Sequence, residues 1–256
     1  MTLRERLQQV RVVSFDGDMT LWDFEKVMRH ALGIALARLR ERLPGPASAA
    51  LTVEEMMAIR DRAESEMEGE AARLEAIRLR AFERTVAAVG RDDPVLAAEL
   101  NALYRAHRFA DIELYADVVP TLDALALHYT LGLVSNGNGL PEWCGLPDRF
   151  AFVLFAQDVV WQGVAGVAKP DPGIFLAACQ QAGCEPQHML HVGDSLASDV
   201  QGANAVGAVS VWLNREGVPN TTGIQPDLEV RSLLELVDLL GNDAPLRPRR
   251  YMEEVA

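Results

Sequence analysis

Apolar positions along this chain follow two different periods, and the change between them divides it. The first run, Val10, Val12, Val13 and Phe15, is β-branched and nearly continuous, as in a strand buried on both faces, and it stops at two carboxylates, Asp16 and Asp18. Over residues 24–111 the strand pattern disappears. Ala31, Ile34, Leu36 and Leu39 recur at helical spacing up to Leu43-Pro44-Gly45-Pro46, where proline cannot continue a helix and a loop is expected. Further helices are predicted over 53–67 with Thr52 as N-cap, over 69–89 closed by Gly90, and over 94–109 opening on Pro94.

From Val118 onward helices and strands alternate. The pattern predicts a helix over 120–128, a strand over 130–134, a loop or short helix around Pro141 and Trp143, and an apolar strand-like run over 152–155. A long connection through Gly163 and Gly166 then leads to Lys169. Next come a helix over 173–182, with Asp171 as N-cap and Pro172 first, and a strand over 189–192. A helix carrying Asp199 in its first turn, a strand over 209–213 and a closing helix over 232–240 complete the series. The alternation predicts an α/β fold: a doubly wound parallel-sheet, Rossmann-like three-layer core, with a helical bundle inserted as a cap. The expected division is a core of residues 1–23 and 113–243, a cap of residues 24–112, and a poorly ordered tail of residues 244–256 containing Pro245 and Pro248.

Composition narrows the function classes. With 256 residues, 49% hydrophobic and 24% charged, the chain has material for a large core plus an insertion. No run approaches the roughly eighteen apolar residues of a membrane span. The charged N-terminal segment lacks the apolar stretch of a secretory signal, so a cytoplasmic location is expected. Cys144, Cys179 and Cys184 form neither a disulfide framework nor a Cys-x-x-Cys metal pair. A net charge of -13 argues against nucleic acid, whose phosphates most of the surface would repel. The expected partner is a small molecule, with no membrane involved and with monomer and homodimer both open.

Polar residues cluster at the expected strand ends: Asp16-Gly17-Asp18, Ser135-Asn136-Gly137, Lys169-Pro170 and Gly193-Asp194-Ser195. In open parallel sheets ligands bind outside the carboxyl ends of the strands, which makes these tips site candidates. Singly, each also suits an ordinary turn. Arg29, Arg73, Arg78, Arg80, Arg84 and Arg105, interleaved with Glu, read as solvated helix faces. His188 and His191, three apart in the expected strand, face opposite sides, and His30, His107 and His128 sit singly on expected helices. All five read as structural or solvent-facing, with no part in a site.

Taken together and in order, Asp16-x-Asp18-x-Thr20, Ser135-Asn136, Lys169-Pro170 and Gly193-Asp194-Ser195-x-x-x-Asp199 resemble the four motifs of the haloacid dehalogenase-like hydrolase superfamily, over nearly the whole chain. The chain also resembles the branch with a helical cap inserted between the first and second motifs. Met19 departs from the pattern, standing where the family most often has glycine. The resemblance implies a Mg²⁺-dependent phosphatase acting on a small phosphate monoester. It makes Asp16 the nucleophile that forms an aspartyl-phosphate and Asp18 the acid and then the base. It makes Ser135, the Asn136 amide and Thr20 donors to phosphate oxygens, with Lys169 neutralising charge. Mg²⁺ would fall to Asp16, the backbone carbonyl of Asp18 and Asp194, while Asp199 holds a metal water, orients Lys169, or simply favours a helix dipole. Cations are needed because a carboxylate and a dianionic phosphate about 4 Å apart repel by roughly 8 kcal/mol at an effective dielectric of about 20. Other readings are a phosphomutase of the same fold, a 2-haloacid dehalogenase, whose branch lacks a second Asp, and a non-catalytic binding module of the same fold.

Overall fold

The computed structural model describes residues 1–67, 74–110 and 112–241, and divides into two compact units: Met1–Trp22 with the chain from Leu114 onward, and Asp23–Glu113. The start of the helix expected over 69–89, Arg73 and the tail expected over 244–256 lie outside the described residues.

The first unit is built on a six-stranded parallel sheet. Its chain begins with α1 (Leu3–Gln9) and β1 (Val12–Phe15), every residue of which is buried. After the helical unit come α7 (Val118–Leu125), β2 (Thr130–Ser135), β3 (Phe152–Phe155), a hairpin of β4 (Val160–Trp161) and β5 (Val164–Ala165), and α8 (Pro172–Ala182). The last elements are β6 (Met189–Gly193), α9 (Gln201–Val206), β7 (Val209–Leu213), β8 (Leu228–Val230) and α10 (Leu234–Gly241). The sheet order is β3-β2-β1-β6-β7-β8, so β1 lies centrally with β2 and β6 hydrogen-bonded on either side. Strands far apart in the chain thus bring their tips together, and the polar ends of β1, β2 and β6 share one edge of the sheet.

The second unit is all helix among its described residues: α2 (Phe24–Arg42), α3 (Pro46–Ala50), α4 (Val53–Glu66), α5 (Leu74–Ala88) and α6 (Pro94–Ala110). Ala31, Ala35 and Leu39 on α2 and Leu96 and Leu100 on α6 are buried at helical spacing in one apolar cluster, which is what holds an isolated bundle together. Asp23 caps α2, and Thr52 with Glu55 forms a reciprocal capping box on α4. Arg29 and Arg80 make the short-range surface pairs expected of solvated faces, with Glu25 and Glu83. Arg78 departs from that expectation. It is buried, and burial together with the neighbouring Arg108 pushes its guanidinium down to about 10.

Several elements differ from the sequence expectation for physical reasons. Helix α1 buries no residue and so leaves no periodic signature, although Thr2 and Glu5 form a capping box. The loop expected at Pro44-Gly45-Pro46 gives way at once to α3, because Pro46 sits at a first helical position, where its missing N–H costs nothing. For the same reason α7 begins before Pro120 rather than at it. The glycine connection before Lys169 contains the β4–β5 hairpin, turned by Gln162 and Gly163, both at positive φ. Strand β8 is three residues long, too short to show alternation. His188 belongs to a short turn opened by Pro186 and not to β6.

Packing around β2 is close enough to test directly. A Cβ built on Gly132 would lie 2.0 Å from the Phe152 ring on β3. Gly132→Ala is expected to destabilise the protein by about 1–3 kcal/mol through overpacking, seen as a lower denaturation midpoint in urea; an unchanged midpoint would show that the Phe152 ring moves aside freely.

Candidate active site

Strand β1 stops at Phe15, but its pairing runs one residue further: the Asp16 amide donates to the Val192 carbonyl at 2.9 Å and fixes Asp16 beside the end of β6. The chain then turns sharply over Gly17–Trp22, with the Leu21 amide donating to the Gly17 carbonyl at 2.8 Å. Gly17 is required there, since a Cβ would lie 2.6 Å from the Trp22 ring. Met19 takes φ 64°, the left-handed conformation that glycine adopts without strain and that costs other residues about 1–2 kcal/mol. The departure noted in the sequence therefore keeps the turn's shape. Trp22 is buried, and its indole N–H donates to Asp18 Oδ1 at 2.7 Å, bracing a carboxylate that remains half-exposed.

Ser135 ends β2 with its hydroxyl accepting from the Gly137 amide at 3.0 Å. The Asn136 side chain is committed to the backbone of Lys169 in both directions: Nδ2 donates to the Lys169 carbonyl at 2.9 Å, and the Lys169 amide donates to Oδ1 at 2.8 Å. Contact with a phosphate would thus fall to the backbone amide of Asn136. That brace delivers Lys169, whose buried ammonium donates to Asp16 Oδ1 and to Asp199 Oδ1, each at 2.6 Å.

Asp199 does not occupy the first turn of an α-helix. It lies in a wide π-type turn, Leu196–Val200, that runs directly into α9, and is fully buried. Its Oδ2 accepts from the Ser195 amide at 3.0 Å, and its Oδ1 takes His191 Nε2 at 3.1 Å as well as Lys169. Gly193 makes room: a Cβ there would lie 2.1 Å from Asp199 Cγ. Asp194, half-buried, has its carbonyl held by the Trp212 indole at 2.8 Å. The Thr20 hydroxyl is buried with no hydrogen-bond partner among the described residues, while its carbonyl accepts from Arg215 Nη2 at 2.9 Å.

One carboxylate oxygen from each of Asp16, Asp194 and Asp199 lies within 4.8 Å of the others. Three acids against one ammonium leave a surplus of negative charge. Burial, reinforced by Asp199 and Asp194 and opposed by Lys169, pushes Asp16 up to about 8; burial and Asp199 push Asp194 up to about 7. Burial opposes the charge on Asp199 too, but Lys169 and His191 outweigh it and hold that carboxyl well below its usual range. Lys169 is raised by Asp16 and Asp199 against the effect of its burial. An all-oxygen donor set with unbalanced charge suits a hard divalent cation such as Mg²⁺.

Sequence reasoning reads every histidine as structural or solvent-facing; His191 is buried as a structural residue, and it also reaches Asp199. His191 is buried against Asp199, and burial lowers its pKa. Trp22 and Arg215 were also not singled out. The signal available for His191 is a polar residue inside an apolar strand.

A family model described as haloacid dehalogenase-like hydrolase matches residues 10–207. Glyceraldehyde 3-phosphate phosphatase of Methanopyrus kandleri is 34% identical over 64% of this chain and 74% of its own length. The 5-amino-6-(5-phospho-D-ribitylamino)uracil phosphatase YigB of Escherichia coli is 28% identical over 91% of this chain and 98% of its own. Among solved structures, a 2-haloacid dehalogenase from Pseudomonas syringae pv. Tomato superposes with a TM-score of 0.73 at 32% identity, over 92% of this chain and all of that one.

The charge surplus has a pH signature. Asp16 and Asp194 have folded pKa values above the unfolded 3.8, so the stability they contribute is fully present below that value and is lost progressively as pH rises from there to about 7 and 8. Asp199, shifted the other way, stays ionised in both states above about pH 5 and adds no slope. In chelator, Tm should therefore fall between about pH 5 and pH 8, by about 2–4 °C for each kcal/mol lost, and level off above pH 8, and Mg²⁺ should flatten the fall. A Tm independent of pH in chelator over that range would contradict the described electrostatics.

Proposed function

Because the chain belongs to the haloacid dehalogenase-like hydrolase family, we propose that it is a Mg²⁺-dependent phosphatase that hydrolyses a small phosphate monoester through an aspartyl-phosphate on Asp16. The observation that carries this reading is the buried Lys169 ammonium held between Asp16 and Asp199, with Asp18 half-exposed on the same turn.

An Asp16 oxygen attacks phosphorus, the bond from phosphorus to the ester oxygen breaks, and the leaving oxygen takes a proton from Asp18. Water then gives a proton to Asp18 as its oxygen attacks phosphorus, and the bond to Asp16 breaks to release phosphate. Lys169 offsets charge on the nucleophile and the phosphoryl oxygens, while the Ser135 hydroxyl, the Asn136 backbone amide and the Thr20 hydroxyl serve as neutral donors. Asp16, the Asp18 carbonyl and Asp194 would hold Mg²⁺, which when bound neutralises phosphate charge. The helical unit Asp23–Glu113 serves as the cap that the resemblance assigns to an insertion at this point of the chain, and carries the selectivity for the alcohol.

A dehalogenase reading has support in the name of the structural relative from Pseudomonas syringae. Asp18 weighs against it, as do the phosphatase names of the relatives from Methanopyrus kandleri and Escherichia coli. The test uses purified protein, Mg²⁺ and a panel of alkyl and aryl phosphates. Asp18→Asn should lower alkyl phosphate turnover by about 10²- to 10⁴-fold, the usual worth of positioned proton transfer, and aryl phosphate less, because a phenolate leaves with less protonation. Asp16→Asn and EDTA should each abolish both. Halide release from a 2-haloacid, unaffected by EDTA or by Asp18→Asn, would replace this reading with the dehalogenase.

A further inference from the structure

One residue before the end of β1 and two before the end of β6, the sheet carries a polar pair inside an apolar layer. Ser14 and His191 are register partners on adjacent parallel strands, and both are fully buried. Val12, Met189 and Phe175 belong to the apolar cluster of the same face, and the Phe175 ring meets the imidazole edge-on with centroids 5.0 Å apart. A hydroxyl and an imidazole are unfavourable there unless their polar atoms are bonded. They are: Ser14 Oγ lies 2.9 Å from His191 Nδ1, and His191 Nε2 lies 3.1 Å from Asp199 Oδ1.

An ionised carboxylate only accepts, so Nε2 carries the hydrogen and donates it to Asp199. The bonds then run without a break from Ser14 through His191, Asp199 and Lys169 to Asp16, leaving β1 and returning to it two residues later. Without His191, Asp199 would keep the Ser195 amide on Oδ2 and Lys169 on Oδ1 but lose the donor that resists rotation of its carboxylate. We propose that His191 is a positioning residue: its Nε2–H fixes the Asp199 carboxylate, which in turn presents the Lys169 ammonium to Asp16. The kinetic consequence rests on the phosphatase reading; the structural one does not. Packing alone gives no reason for the pair, since the flanking strand positions Val13, Phe15, Leu190 and Val192 are all apolar and buried.

Lys26 and Lys169 being the only lysines, selective ¹⁵N-lysine labelling reports on Lys169 with one exposed companion. The wild-type protein should show a persistent ammonium cross-peak, assigned by its loss in Lys169→Arg. In His191→Phe, which keeps a planar ring but no donor, that peak should broaden or shift. With Mg²⁺ and an aryl phosphate, kcat of this variant should fall about 10- to 100-fold, the scale of small misplacements near the reacting centre, with KM changed less than kcat. His191→Gln, which retains an N–H near the Nε2 position, should restore both readouts. Ser14→Ala should show a weaker effect of the same kind that does not add to His191→Phe, and decides the matter if His191→Phe fails to fold. A folded His191→Phe with the wild-type cross-peak and kcat would overturn the proposal, as would a His191→Gln no better than His191→Phe. A cross-peak that responds to His191 in a protein hydrolysing no phosphate ester would retire the phosphatase reading and leave the positioning role standing.

Discussion

One ammonium set among three carboxylates, two of them buried, is the constraint on which the rest of this site depends. Lys169 reaches Asp16 and Asp199 at the same 2.6 Å, and Asp194 completes the cluster with no ion pair of its own among the described residues. Burying so many charges is costly unless geometry and partners compensate, and breaking such a set leaves charge with nothing to balance it. The arrangement makes sense as a place where a phosphate dianion and a divalent cation arrive together. Lys169 then balances only part of the acid, and the remaining charge is what would draw a divalent cation.

That constraint reaches outward into the fold. Lys169 follows a hairpin rather than a sheet strand, so its position depends on the two-way brace from Asn136 at the end of β2. Asp199 needs a glycine at the end of β6 and a wide turn before α9 to bring its carboxylate back against the sheet. Asp18 owes its placement to the Trp22 indole, and the turn between them needs Gly17 because that same ring lies beneath it. Each glycine here is a space that a charged or aromatic neighbour occupies.

Much of this was legible in the sequence, and the reasons differ by element. Strands β1, β6 and β7 are buried on both faces and announce themselves as apolar runs, as does the mostly buried β3; α4 and α8 are marked by Thr52 and by Asp171 with Pro172. The four polar tips, in that order, carry the resemblance to the family that the match over residues 10–207 shows. Elements without a buried stripe stayed silent: α1 buries nothing, β8 is three residues long, and the hairpin β4–β5 exposes Val160 and Val164. In the site, residues at strand ends could be read, whereas His191 could not. Its role depends on pairing with Ser14 across the sheet and on a turn that folds Asp199 back, relations that a linear pattern does not contain. Trp22 and Arg215 act through single long side chains, which leave no spacing to recognise.

The most direct measurement of the central claim is chemical trapping of the covalent intermediate. Protein mixed with Mg²⁺ and a phosphate ester, then quenched with borohydride, should have its acyl phosphate reduced, converting Asp16 to homoserine in the peptide that spans Val12–Phe15 and the turn after it. The account predicts that mass change at residue 16, dependent on substrate and absent in chelator. Reduction at another carboxylate, or turnover with residue 16 unmodified under conditions that trap acyl phosphates, would contradict it.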